Sequence, residues 1–201
     1  MEIKSQSPIF IFGTGTFGVD TARALLSSGY NVTGFVSNQE IRNNINGINV
    51  YEWEQLSIDA DAQLLLGILN PNDALSFFYK QAIEFGFKKV FLPWDFIGHI
   101  EQEMGWRFWL KPKEFLLEHR KNLEHVLPFL RDSRSRECLW DVFKFRSGQH
   151  LDYSHFNHSE NHYFNELTLR AKTSVSGYLD VGAYHGETLM ELESLVPVEM
   201  A

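Results

Sequence analysis

The feature that most constrains the fold is an apolar run that leads directly into a glycine-rich turn. Residues 8–12 read Pro-Ile-Phe-Ile-Phe, and residues 13–18 read Gly-Thr-Gly-Thr-Phe-Gly, a complete G-x-G-x-x-G pattern. Short, continuously apolar runs are typical of strands that are buried on both faces. A helical pattern of apolar residues follows as far as Gly29, and residues 31–36 read as a second strand. The sequence therefore predicts a βαβ unit whose glycine turn opens a helix.

This glycine turn predicts a binding site for an anionic group. Glycines permit a tight turn and a close approach of the backbone to a ligand, and the helix N-terminus offers N–H groups that have no partner within the helix. We therefore expect the turn to bind a small molecule that carries an anionic group such as a phosphate. The alternative is a purely structural turn, because a fold by itself does not fix a function. The expected contact residues are Gly13, Thr14, Gly15, Thr16 and Gly18.

The end of the second strand lacks the acid that a dinucleotide site uses. An aspartate or glutamate there usually holds the ribose hydroxyls of NAD. Ser37 and Asn38 stand at that place, and the next acid is Glu40. An NAD-dependent reductase is therefore the least favoured interpretation of this module.

Strands and helices continue to alternate as far as about residue 98. Residues 63–69 and 89–92 read as further strands, and an apolar helical pattern between them ends near Gly86. Alternation of this kind predicts a parallel sheet with ligands at the carboxyl ends of its strands. The predicted fold class is thus α/β, with a small Rossmann-like parallel-sheet module over residues 1–98.

Residues 99–172 are predicted to be a helical connecting segment. One helix is expected to begin near Pro112 and to end near Pro128, and a second is expected over residues 133–145. Four histidines then fall at positions 150, 155, 158 and 162. Their spacing matches no closed zinc motif and no cysteine accompanies them, so we expect a polar loop and no metal site.

Charge and cysteine content exclude several classes of partner. The formal net charge is −8, whereas proteins that bind nucleic acid concentrate lysine and arginine, so no nucleic-acid partner is expected. Cys138 is the one cysteine, which fits a reducing compartment. The N-terminus has no signal-peptide pattern, and no apolar run approaches the roughly 20 residues of a membrane span. We expect a cytoplasmic protein without a membrane partner.

A second glycine turn lies close to the C-terminus. Residues 175–180 read as a strand, and Asp180, Gly182 and Gly186 form the D-x-G-x-x-x-G pattern. This pattern resembles the first cofactor-binding turn of S-adenosylmethionine-dependent methyltransferases, in which the glycines allow the backbone to approach the cofactor. The resemblance implies S-adenosylmethionine as the cofactor. The cofactor-binding residues that it implies are Asp180, Gly182, Ala183, Tyr184 and Gly186.

The residues on both sides of this turn narrow the resemblance to one family. Residues 179–189 read Leu-Asp-Val-Gly-Ala-Tyr-His-Gly-Glu-Thr-Leu. They resemble the D-V-G-A-Y-D-G-D-T signature of the FkbM-type methyltransferases, with His185 and Glu187 where aspartates are usual. Residues 161–164, Asn-His-Tyr-Phe, resemble the Q-Y-F element upstream of that strand. Residues 8–98 in turn resemble the nucleotide- or sugar-nucleotide-binding segment that precedes bacterial sugar acetyltransferase domains.

The FkbM resemblance implies methyl transfer to a hydroxyl oxygen. The expected acceptor is a small molecule, such as a sugar, a glycoconjugate or another natural product; no catalytic base can be named. Residues 173–201 hold one strand, one turn and one helix, whereas a doubly wound domain needs about 100–150 residues. We therefore expect an incomplete methyltransferase domain, so that the chain is the N-terminal part of a longer enzyme and is inactive alone. The alternative is a non-catalytic nucleotide- or sugar-nucleotide-binding module.

Overall fold

The structure is a computed structural model, and it describes residues 2–39, 43–69, 74–105, 110–152, 179, 181 and 185–195. The chain divides into two compact units, Met1–Asn157 and His158–Ala201. Each unit is described by itself below. The first unit contains the sheet and most of the helices that the structure describes.

The first unit is built on a six-stranded, mostly parallel sheet with strand order β3-β4-β2-β1-β5-β6. β1 pairs in parallel with both β2 and β5, so it lies at the centre of the sheet. β3 is the exception, because it runs antiparallel to β4 across a turn at Asn46 and Gly47, which have φ of 52° and 82°. The strands are β1 (Ile9–Phe12), β2 (Val32–Val36), β3 (Asn44–Ile45), β4 (Ile48–Tyr51), β5 (Gln63–Leu66) and β6 (Lys89–Phe91).

Helices connect the parallel strands and extend beyond them. The described α-helices are α1 (Thr16–Ser27), α2 (Leu75–Glu84), α3 (Pro93–Phe96), α4 (Lys113–Glu118), α5 (Arg120–Val126), α6 (Ser133–Arg146) and α7 (Glu187–Leu195). The fold is therefore α/β and Rossmann-like, as the sequence predicts. Within the described part of the chain, none of these helices has the length and apolar character needed to cross a membrane.

Of the two helices predicted after Pro112, the structure confirms the second and corrects the first. The second is confirmed, because α6 spans Ser133–Arg146 and Asp132 caps it by accepting a hydrogen bond from the Ser135 N–H at 2.8 Å. The first is wrong as a single helix. It is broken at His119, whose backbone has φ −90° and ψ 7°, so that α4 and α5 are separate. The helical segment ends as expected, in a 3₁₀ turn that contains Pro128.

The sheet is buried on both faces, which explains its continuously apolar strands. Ile9 and Ile11 of β1 face a core that includes Leu25 of α1. Phe10 and Phe12 face the opposite core, which includes residues of α2. Successive side chains of a strand point to opposite faces, so a strand between two helical layers needs apolar residues at every position. Burial of each such large side chain stabilises the fold by roughly 1.5–3 kcal/mol.

Residues beyond the sheet also belong to this unit. Phe145 of α6 packs edge-on against Trp94 of α3, with ring centroids 4.7 Å apart. Asp152 accepts hydrogen bonds from the Ser76 N–H at 3.0 Å and from the Ser76 hydroxyl at 2.7 Å. Because Ser76 lies in the first turn of α2, Asp152 caps the N-terminus of α2, although the two residues are far apart in the sequence.

Candidate functional site

A cleft of about 370 Å³ opens at the carboxyl ends of β1, β2 and β5. Its walls are formed by residues 12–17, 37–39 and 67–69 and by Phe78 of α2. The chain leaves β1 toward β2 on one side, and β5 lies on the other side of β1. The cleft therefore lies at the point where the strand order reverses, which is where open α/β sheets bind their ligands.

Gly13 begins the turn and is required by the backbone itself. Its φ is +105°, a conformation that residues with a Cβ rarely adopt. A Cβ built at this position would lie 2.6 Å from Cγ2 of Ile68 and 3.1 Å from the carbonyl oxygen of Gly67. The Gly13 N–H donates to the Val36 carbonyl at 2.9 Å, so the turn is attached to the end of β2.

Gly18 is required by close packing of α1 against the strand ends. A Cβ at Gly18 would lie 2.1 Å from the carbonyl oxygen of Gly13 and 3.1 Å from that of Gly67. Gly67 is confined by the same contact, because its own Cβ would lie 3.0 Å from Cα of Gly18. These two glycines allow the first turn of α1 to lie directly over the ends of β1 and β5.

Neither the backbone conformation nor packing against the described residues explains why residue 15 is a glycine. Its φ of −73° and ψ of 178° are ordinary extended values that any residue adopts. A Cβ at Gly15 would meet no heavy atom of the described residues within 4 Å. Gly15 is also the N-cap of α1, where no side chain caps the helix and no acid lies in the first turn. The space above the positive end of α1 is thus open toward the cleft.

Two hydroxyl groups accompany this open backbone. Thr14 is half-buried and Thr16 is exposed, and both line the cleft. Thr16 is the first residue of α1, so its hydroxyl lies beside the helix N-terminus. The turn therefore presents hydroxyl donors together with backbone N–H groups, a combination that suits the oxygen atoms of a phosphate.

The end of β2 carries no acid, and the polar side chains there form hydrogen bonds with other residues of the protein. The Asn38 side-chain oxygen accepts a hydrogen bond from Nε1 of Trp53, and its side-chain nitrogen donates to Oε1 of Gln81 at 3.2 Å. The Ser37 hydroxyl oxygen accepts from the Gln39 N–H at 3.1 Å. Neither residue can hold a ribose diol as a carboxylate does. Glu40, the next acid along the chain, lies outside the described residues.

The remaining walls are apolar. Phe12 lies against Phe78 with ring centroids 4.6 Å apart, and Ile68 and Leu69 complete this side. Among the residues described here, the lining includes no aspartate, glutamate, histidine, cysteine, lysine or arginine. An apolar wall facing a few polar groups is typical of a ligand-binding site.

The five residues predicted to bind at the first turn therefore come together, but with different roles. Thr14, Gly15 and Thr16 border the open cleft, whereas Gly13 and Gly18 shape the turn. Sequence reasoning missed the contribution of residues 67–69 and Phe78. The glycine that follows the apolar run 64–66 was an available signal, because a glycine at a strand end often marks a close backbone approach.

Little of the second predicted site falls within the described residues. Asp180, Gly182, Ala183 and Tyr184 lie outside them. Gly186 has φ of +79° and comes directly before α7, and its carbonyl accepts the Met190 N–H at 3.0 Å. Within α7, Leu192 is buried, while Leu189 and Leu195 are exposed.

Metal ligands do not converge in the part of the chain that the structure covers. No group of three or more histidine, cysteine, aspartate or glutamate side chains there lies close enough to hold an ion. Of the four clustered histidines, His150 is described, and positions 155, 158 and 162 fall outside. The expectation of a polar loop without metal stays a prediction.

Comparisons with protein-family models, with curated proteins and with solved structures gave no match. The resemblance to FkbM-type methyltransferases and the resemblance of the first module to sugar-nucleotide-binding segments therefore stay predictions. The α/β fold rests on the sheet and helices themselves.

Proposed function

We propose that the first unit is a binding module for a nucleotide or a sugar nucleotide, with its phosphate at Gly15. The observation that carries this proposal is the contrast among the three glycines of the turn. Gly13 and Gly18 are explained by backbone conformation and packing, but Gly15 has an ordinary φ and open space at its Cβ position. A ligand that lies against the backbone explains why no side chain stands there.

Electrostatics and shape support the same ligand class. The positive end of a helix favours an anion by about 0.3–1 kcal/mol at an exposed site and by up to about 2 kcal/mol when partly buried. The lining described above contains no acid to repel a phosphate. Phe12 and Phe78 offer an apolar wall for the face of a base or a sugar ring. A phosphate with an attached ring system therefore matches both ends of the cleft.

Thermal unfolding with and without ligand tests this proposal. A ligand at 100 times its Kd stabilises the folded chain by about 2.7 kcal/mol, which raises the Tm of a chain of this size by roughly 5–10 °C. We expect this shift with ADP, UDP or UDP-glucose. Gly15→Val should abolish it by filling the space over the turn.

Gly105→Val is the matched control, because a Cβ at Gly105 also meets no heavy atom of the described residues within 4 Å, and Gly105 does not line the cleft. It should keep the ligand-induced shift. Absence of a shift with all three compounds would reject the proposal, and so would a full shift in Gly15→Val.

We propose S-adenosylmethionine-dependent methyl transfer as a second function, located around the second glycine turn. The specific observation in its favour is Gly186, whose positive φ directly precedes α7, as expected of a cofactor-binding turn that opens a helix. The acceptor would be a hydroxyl group of a sugar or another natural product. Asp180→Ala in the full-length protein should abolish S-adenosylmethionine binding in calorimetry; unchanged affinity would refute the assignment.

We also propose a cytoplasmic location. The single cysteine, Cys138, has no partner for a disulfide within the chain, and this composition suits a reducing compartment. Fractionation of cells that express the chain, followed by immunoblotting, would test this directly. Recovery in a secreted or membrane fraction would contradict it.

A further inference from the structure

A second hollow of about 320 Å³ adjoins the cleft at the carboxyl ends of β2 and β4. The two share residues 37–39 as lining, so a ligand in the cleft can extend past the end of β2 into this hollow. Its remaining lining is Glu52, Trp53 and Glu54 after β4, and Gln81 of α2. Unlike the cleft, it therefore contains carboxylate groups.

Strand pairing explains why these carboxylates lie beside the end of β2. β2 and β4 run in parallel, with Phe35 opposite Val50 and Val36 opposite Tyr51. The Ser37 N–H continues this ladder by donating to the Tyr51 carbonyl at 3.0 Å. The residues that follow β4 thus lie next to residues 37 and 38, where the expected ribose-binding acid is missing.

The polar groups of the hollow differ in what they are already bonded to. The carboxylate of Glu52 takes part in the capping box of the 3₁₀ turn Trp53–Gln55. Gln81 uses its side-chain oxygen to accept from Asn38, so its NH₂ group remains available as a donor. Glu54 is exposed and forms no ion pair or hydrogen bond with the described residues. One acceptor and one donor therefore face the same hollow.

We propose that Glu54 and Gln81 bind the free 2′- and 3′-hydroxyl groups of a nucleoside 5′-diphosphate, or of its sugar derivative. This inference rests on the proposed phosphate site at Gly15. A carboxylate accepts hydrogen bonds from two neighbouring hydroxyl groups, as at the end of β2 in dinucleotide sites. Here the carboxylate comes from the next strand of the sheet.

Charge also defines what this site rejects. The lining of the cleft and of the hollow contains no lysine or arginine among the described residues. A carboxylate repels a phosphate group on the ribose, and the described lining contains no arginine to bind one. The ligand is therefore a nucleotide whose negative charge is confined to its 5′ side, with the ribose diol unmodified.

Calorimetry with paired ligands tests the assignment. ADP and UDP are each compared with their 2′,3′-dideoxy analogues, and inorganic pyrophosphate reports on the phosphate site alone. Hydrogen bonds to a charged group predict that the diol strengthens binding roughly tenfold or more. Glu54→Gln should reduce this preference to near one and leave pyrophosphate affinity unchanged. Glu118→Gln, on exposed α4, is the control and should keep the preference.

The outcomes separate this inference from the proposed function. If Gly15→Val abolishes binding but Glu54→Gln keeps the diol preference, the phosphate site is right and the hydroxyl site is wrong. Equal affinity of the unsubstituted chain for ADP and its dideoxy analogue also overturns the hydroxyl site. If no compound binds the unsubstituted chain, both proposals are refuted.

Discussion

Gly15 and Gly18 of the glycine turn give a sharp prediction, because Gly15→Ala and Gly18→Ala make the same chemical change in different surroundings. At Gly18 the new methyl group would lie 2.1 Å from the carbonyl oxygen of Gly13 and 3.1 Å from that of Gly67. Both are backbone atoms, so α1 itself must move away from the sheet. At Gly15 the methyl group would meet nothing within 4 Å among the described residues.

The expected changes in unfolding free energy differ clearly. Overpacking typically lowers the unfolding free energy by about 1–3 kcal/mol. A clash with backbone atoms is expected to cost as much as the upper end of this range or more. The better helix propensity of alanine offsets about 1 kcal/mol of this at Gly18. We therefore expect Gly18→Ala to lose about 2 kcal/mol or more, which lowers Tm by roughly 4–8 °C. Gly15→Ala should stay within about 1 kcal/mol of the parent, because a less flexible unfolded chain offsets a poorer N-cap.

Urea unfolding followed by circular dichroism measures both variants without any ligand. The m-value should be unchanged, so that the transition midpoint reports stability alone. Equal destabilisation by the two substitutions would refute the reasoning, since it would mean that Gly15 also has a structural role. A stable Gly18→Ala variant would show that the close contact of α1 with Gly13 and Gly67 is wrong.

Three further predictions concern the elements around the sheet. Asp152→Ala should lower the unfolding free energy by about 1 kcal/mol, as for loss of a helix cap, with Asp152→Asn less affected in urea unfolding. Phe145→Ala should cost about 3–5 kcal/mol in the same assay, because a buried aromatic ring is lost. Hydrogen bonds from the Ser135 hydroxyl and N–H lower the pKa of Asp132. Its stabilising effect is therefore complete above the ordinary value of about 4 and is lost as pH falls through the lowered pKa. The stability difference between the parent and Asp132→Asn should shrink over that range.

Patterns that depend on neighbouring residues were enough to predict four strands of the sheet, β1, β2, β5 and β6. The apolar run before Gly13 and the helical spacing after it place β1 and α1 correctly. The hairpin of β3 and β4 was not foreseen, although Asn46 and Gly47 carry the positive φ values that Asn-Gly turns favour. The break at His119 has no such local signal, since its residues suit a continuous helix.

The candidate site was predictable only where one segment of chain forms it. Residues 13–18 are contiguous, so their pattern shows the turn directly. Glu54 and Gln81 belong to different elements, and only the strand order places them at the same hollow. The missing acid after β2 was visible in the sequence. The proposed replacement after β4, Glu54, was not visible, because a sequence does not show which strand lies next to β2.

The second glycine turn differs from the first in why it contains a glycine. A Cβ at Gly186 meets no heavy atom of the described residues within 4 Å, as at Gly15, but the φ of Gly186 is +79°. A glycine is therefore explained there by backbone conformation alone, with or without a cofactor. A turn of this kind does not require an aspartate at position 180. Asp180 is consequently the residue whose substitution separates a methyltransferase from a protein that merely shares the turn.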